Sequence, residues 1–179
     1  MYKALRFIAV IAVAAFLATS VSPLLASDFK EECLNQLGVL EKKIVGLAEA
    51  VPADKYTWRP AEGVRSVSEV YLHVAGANFG MPRMFGTPPP EGFSPRGYDT
   101  SITDKAEVTS KLKESFAHLR KAVEAVSASD ADKPVKMFGR EMTLRAVVWT
   151  VLGHLSEHLG QSIAYARMNG VTPPWSGGM

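Results

Sequence analysis

Apolar residues recur along this chain at steps of three and four, the interval that gathers them on one side of an α-helix. Phe29, Cys33, Leu37, Leu40, Ile44 and Leu47 make one such stripe, which Pro52 ends. Asp28 and Glu31 have the spacing of a capping box, so this first helix is expected to start at Asp28. A second capping-box pair, Ser66 and Glu69, opens a helix running through Val67, Val70, Tyr71, His73 and Val74 to about Phe79, where Gly80 and Pro82 stop it. Val108, Leu112, Phe116, Leu119, Val123 and Val126 mark a third helix from about Asp104 to Val126. The fourth starts near Thr143, runs to Met168 and ends at Asn169-Gly170, with Pro173-Pro174 behind it. It is expected to be the longest and to lie centrally.

Between these helices the pattern breaks down. Residues 52–65 form a connector containing Tyr56, Trp58, Arg59 and Pro60. Residues 80–103 are rich in proline and glycine, with Pro88-Pro89-Pro90 at the centre. So long an unpatterned stretch is unusual in a compact domain. Because it leaves the helix carrying His73, a functional flap is favoured over a tolerated insertion. Residues 134–142 read as a small extended turn. Four helices with almost no strand signal point to an all-α bundle.

The amino terminus changes the picture of where this domain works. Lys3 and Arg6 precede a thirteen-residue uncharged run, Phe7 to Thr19, and small residues follow near Ala26-Ser27. This is the layout of a secretory signal peptide, too short for a membrane span of about 20 residues. The expected organisation is a signal at 1–26 and one domain at 27–179, exported to a periplasmic or secreted location, with no stable membrane anchor once the signal is cleaved. Removing Lys3 and Arg6 leaves 18 basic against 18 acidic residues. Scattered charge with no basic stripe argues against a nucleic-acid partner. Cys33 is the single cysteine, so no internal disulfide forms. Its place on an apolar stripe favours a buried, inert thiol.

The candidate chemistry lies in the histidines. His154 and His158 are four residues apart, about 40° around a helix axis, and share their face with Val147, Val151, Gln161 and Tyr165. A buried imidazole must satisfy two nitrogens, and a metal ion satisfies one of them. Such a pair alone also occurs as ordinary core histidines. His73, at the edge of the apolar face of the second helix, supplies a third candidate ligand. Three imidazoles leave a coordination position for water or substrate, and nitrogen ligands suit Zn, Ni, Cu or Fe without choosing among them. His118 falls about 200° from Phe116 and is expected to face solvent. Glu157 lies about 60° from His154 and Gln161 one turn beyond His158; both are candidate catalytic or ligand-orienting groups. Glu69 also sits one turn before His73, but capping already explains it. Tyr165, Trp58 and Trp149 read as core aromatics. His154-Leu155-Ser156-Glu157-His158 also fits the H-x-x-E-H pattern of inverted zinc proteases. Only 21 residues follow His158, too few for a further ligand-bearing element, which disfavours a peptidase.

Several segments together resemble the DinB/YfiT-like family of metalloenzymes. They are Trp58-Arg59-Pro60, Ser66-Val67-Ser68-Glu69-Val70-Tyr71-Leu72-His73, His154-Leu155-Ser156-Glu157-His158-Leu159-Gly160-Gln161 and Tyr165-Ala166-Arg167-Met168-Asn169-Gly170. The resemblance covers about residues 28–175. It implies an up-down-down-up four-helix bundle, a divalent metal ion held by His73, His154 and His158, and a homodimer. Some relatives are thiol S-transferases or isomerases using low-molecular-weight thiols. The export signal and the 80–103 segment depart from the pattern, which weakens the transfer of a thiol substrate. The expectation is therefore an exported metal-dependent enzyme, a transferase or hydrolase acting on a small molecule. The alternatives are a non-catalytic metal- or ligand-binding module and a bundle that keeps its histidines as core polar groups.

Overall fold

A computed structural model describes residues 22–177, so most of the expected signal lies outside the described residues. Four helices carry the fold: α1 (Ser22–Ala50), α2 (Val67–Gly80), α3 (Lys105–Ala125) and α4 (Leu144–Met168). A two-stranded hairpin, β1 (Pro134–Met137) and β2 (Arg140–Thr143), precedes α4. Helix α2 packs on α3, α1 packs on α3 and α4, and α4 also meets α2. No described helix is long and apolar enough to cross a membrane.

Local chemistry explains the helix starts. The Ser66 side chain accepts from the Glu69 backbone N–H, and the Glu69 carboxylate accepts from the Ser66 N–H at 2.8 Å, completing the capping box of α2. Asp104 caps α3 by accepting from the Glu107 N–H, and Thr143 caps α4 by accepting from the Ala146 N–H. The first helix departs from expectation. It is already helical at Ser22, six residues before Asp28, and its 29 residues exceed the 25 of α4.

The apolar stripes meet as the core. Every member of the stripe from Phe29 to Leu47 is buried, as is every member from Val108 to Val126. Val148, Val151, Leu152, Leu155 and Leu159 of α4 join them. Cys33 is fully buried, as expected, and burial pushes its thiol pKa up to about 11, with Glu32 adding to the shift. Trp149 corrects the core-aromatic expectation. It is 48% exposed and touches Phe29 edge-on at 6.4 Å. His118 is corrected in the opposite sense: it is half-buried beside Phe79, with ring centroids 5.7 Å apart, instead of facing solvent.

The extended turn resolves into the hairpin, paired from Pro134↔Thr143 to Met137↔Arg140. Its two-residue turn, Phe138-Gly139, has φ of 49° and 78°, the left-handed values of a type I′ turn. Glycine accepts this conformation freely. An aromatic residue there strains the backbone by roughly 1 kcal/mol.

Candidate metal centre

Helices α2 and α4 bring His73, His154 and His158 together. Each ring offers one nitrogen, and the three lie within 4.8 Å of one another. Ring centroids are 5.1 Å apart for His73–His154, 4.7 Å for His73–His158 and 4.5 Å for His154–His158. The Nε2 atoms of His73 and His154 stand 3.1 Å apart. Two nitrogens bound tetrahedrally to one zinc ion at about 2.05 Å would be about 3.3 Å apart, so this pair is already near ligand spacing. The one-turn spacing on α4 and the packing of α2 against α4 produce this convergence.

A chain of hydrogen bonds sets the orientation of one ring. His158 Nδ1–H donates to Gln161 Oε1 at 2.8 Å. Gln161 Nε2 donates to the Tyr165 hydroxyl at 3.1 Å, and that hydroxyl donates to the Arg65 carbonyl at 3.1 Å. With its proton fixed on Nδ1, His158 presents a lone pair on Nε2, the form a metal ligand needs. Gln161 therefore reaches the cluster through His158. Tyr165 is buried but also terminates this chain, a role the sequence reading missed. Its place seven residues after His158 and four after Gln161, on one helical face, was the available signal. Glu157 is exposed and makes no hydrogen bond or ion pair with the three rings among the described residues. Nδ1 of His154 is buried without a partner among the described residues, so no bond at that nitrogen fixes the ring's tautomer.

Burial, with Arg65 and His158 adding to it, lowers the His73 pKa to about 4; burial likewise lowers His154 to about 4, with His158 and His73 contributing. Both imidazoles are therefore neutral near pH 7, which leaves lone pairs for coordination. The donor set and its spacing fit a divalent metal ion.

Beside His73 and His154 lies a cleft of about 530 Å³. The Pro/Gly-rich stretch supplies one wall through Pro89, Phe93, Pro95 and Tyr98, so it does border the cluster. Glycines on α2 seat this wall. A Cβ on Gly76 would come within 3.3 Å of the Tyr98 ring, and one on Gly80 within 3.7 Å of Phe93. Phe79, Phe93 and Tyr98 pack with ring centroids 5.2 to 6.3 Å apart. Arg65 at the rim pairs with Asp99 at 3.2 Å, tying the connector before α2 to the far end of the flap. Neither partner was singled out from sequence, since 34 residues separate them.

Comparison with known proteins gives the same fold. A DinB-like protein from Bacillus cereus ATCC 10987 has a TM-score of 0.71 at 16% identity, covering 80% of this chain and 95% of that one. A DinB-like protein from Bacillus subtilis has a TM-score of 0.63 at 22% identity, covering 79% of this chain and 93% of its own. Comparison with curated proteins finds no match. The family profile of the DinB superfamily matches residues 36–162, most of the chain and all three clustered histidines, and the chain belongs to that superfamily.

Proposed function

We propose that this protein is a metal-dependent enzyme, a transferase or hydrolase, acting on a small molecule held in the cleft beside its three histidines. The observation that carries the reading is the convergence of three imidazole nitrogens within 4.8 Å at the edge of that cleft. His73, His154 and His158 would hold the ion. Such a cation supplies Lewis acidity to a polarised group and favours the deprotonated form of whatever it binds. The chain's own residues prepare the place. Gln161 and Tyr165 orient His158, burial keeps His73 and His154 unprotonated, and the flap wall narrows the approach of solvent. An exported location, a homodimer and an up-down-down-up course of the helices belong to the same proposal, drawn from the amino-terminal pattern and the family resemblance.

A second reading, a non-catalytic metal- or ligand-binding module, is favoured by one observation. Glu157, the nearest candidate base on α4, stands exposed and apart from the rings. Elemental analysis of the protein from its native compartment, beside His73→Ala, tests metal binding. One equivalent of metal, lost in the variant, is expected; wild-type protein that stays metal-free after reconstitution refutes the enzyme and the metal-binding module. Spectroscopy of the cobalt-substituted protein then separates them. An exchangeable solvent ligand supports the enzyme, and a fourth protein ligand supports the module.

A further inference from the structure

The cleft does more than expose His73 and His154: its lining describes its occupant. The floor follows α2 away from His73 through Gly76, Ala77 and Gly80 to the turn at Met81–Phe85. Ten residues separate His73 from Arg83, roughly 15 Å along the axis of the helix and its 3₁₀ extension. Gly76 and Gly80 let Tyr98 and Phe93 close onto this floor, so the trough runs beside an aromatic wall. The walls are apolar and come from four places in the fold: Leu72 of α2, Met84 of the turn, Phe93 of the flap and Phe138 of the hairpin.

Phe138 is the most telling of these. It is 79% exposed and occupies a left-handed turn position at φ 49°. Neither the turn nor the core gains from an aromatic ring there. The ring does border the cleft, and there it offers an apolar surface to whatever enters. Charge in the cleft is unbalanced as well. Two guanidinium groups, Arg65 and Arg83, and one carboxylate, Asp99, line it. Arg65 is taken by Asp99, whereas Arg83 is exposed and its guanidinium forms no ion pair or hydrogen bond among the described residues. A free guanidinium at the end of an apolar trough is a receptor for a carboxylate or phosphate, which it binds with two parallel hydrogen bonds.

We infer that the cleft takes a small amphipathic anion, its apolar body lying among Leu72, Met84, Phe93 and Phe138, its anionic group at Arg83 and its other end at the imidazoles. This rests on the reading of the cleft as the substrate site, and it names the class of molecule that site selects.

The test uses the full-length mature protein stripped of metal, so that an anion cannot score by binding the ion itself. Octanoate, octyl phosphate and octan-1-ol are titrated by calorimetry against wild type, Arg83→Gln and Phe138→Asn. Both positions are exposed, and asparagine suits the left-handed turn, so the variants retain the fold. Octanoate or octyl phosphate is expected to bind wild type about tenfold more tightly than octan-1-ol, and Arg83→Gln to remove that advantage. Whichever anion binds more tightly identifies the headgroup. Phe138→Asn is expected to weaken all three probes. Equal affinity for the alcohol and both anions, or anion binding indifferent to both substitutions, overturns the inference. Metal stoichiometry, measured separately, can fail without altering these titrations.

Discussion

Replacing Gln161 by leucine isolates the hydrogen-bond chain from the three clustered histidines. Leucine has similar size and helix propensity, so α4 continues unchanged. What disappears is the acceptor 2.8 Å from His158 Nδ1 and the donor 3.1 Å from the Tyr165 hydroxyl. In the metal-free protein two partly buried hydrogen bonds are lost, and each contributes roughly 0.5–1.5 kcal/mol net. Apo stability is therefore expected to fall by about 1–3 kcal/mol. Metal affinity falls for a second reason. Without its partner the His158 proton redistributes between the ring nitrogens and the ring turns, so the Nε2 lone pair is no longer held towards the other two imidazoles. Loss of such an orienting partner typically weakens metal binding 10–100-fold. Competition against a zinc chelator of known affinity measures this directly, with urea unfolding of the apo forms as the control. Tyr165→Phe removes only the distal link and is expected to lower affinity less than Gln161→Leu does. If Gln161→Leu binds zinc as tightly as wild type, the hydrogen-bond chain does not orient the ligand and the reasoning fails.

Three other outcomes follow from the same structure. The folded-state pKa values of His73 and His154, about 4, lie below the unfolded value of 6.5. Their contribution to apo stability is therefore complete above pH 6.5 and is lost as pH falls towards 4, amounting to roughly 1–3 kcal/mol after allowance for solvent screening. Chemical denaturation at pH 7 and pH 4.5 checks this by comparing wild type with a His73→Gln/His154→Gln variant, which should lose less stability on acidification. Leu155→Ala empties a fully buried site on the inner face of α4 and is expected to cost about 2–5 kcal/mol, read as a lower denaturation midpoint at unchanged slope. Phe138→Asn relieves the left-handed strain and is expected to raise stability by roughly 1 kcal/mol, observable as a higher Tm.

The sequence alone determined the helical part of this protein. Periodicity located the buried faces of α1 and α3, because burial on a helix repeats with its 3.6-residue turn. Capping chemistry is local, and the Ser66–Glu69 pair placed the start of α2 to within a residue, whereas the same pattern at Asp28 did not mark the start of α1. His154, His158 and Gln161 were readable for the same reason, since one helix sets their relation. Helical periodicity was blind where contacts depend on neighbouring elements. Trp149 and His118 occupy wheel positions whose burial is decided by what packs beside them, and both were misjudged. Only tertiary packing brought His73 against the α4 pair, 81 positions away along the chain. It also laid the 80–103 segment over Gly76 and Gly80, paired Arg65 with Asp99, and carried Phe138 from the hairpin to the rim of the cleft. No local spacing encodes these meetings. They arise because each helix must bury its apolar stripe against the others, and the bundle that does so also draws distant polar groups together.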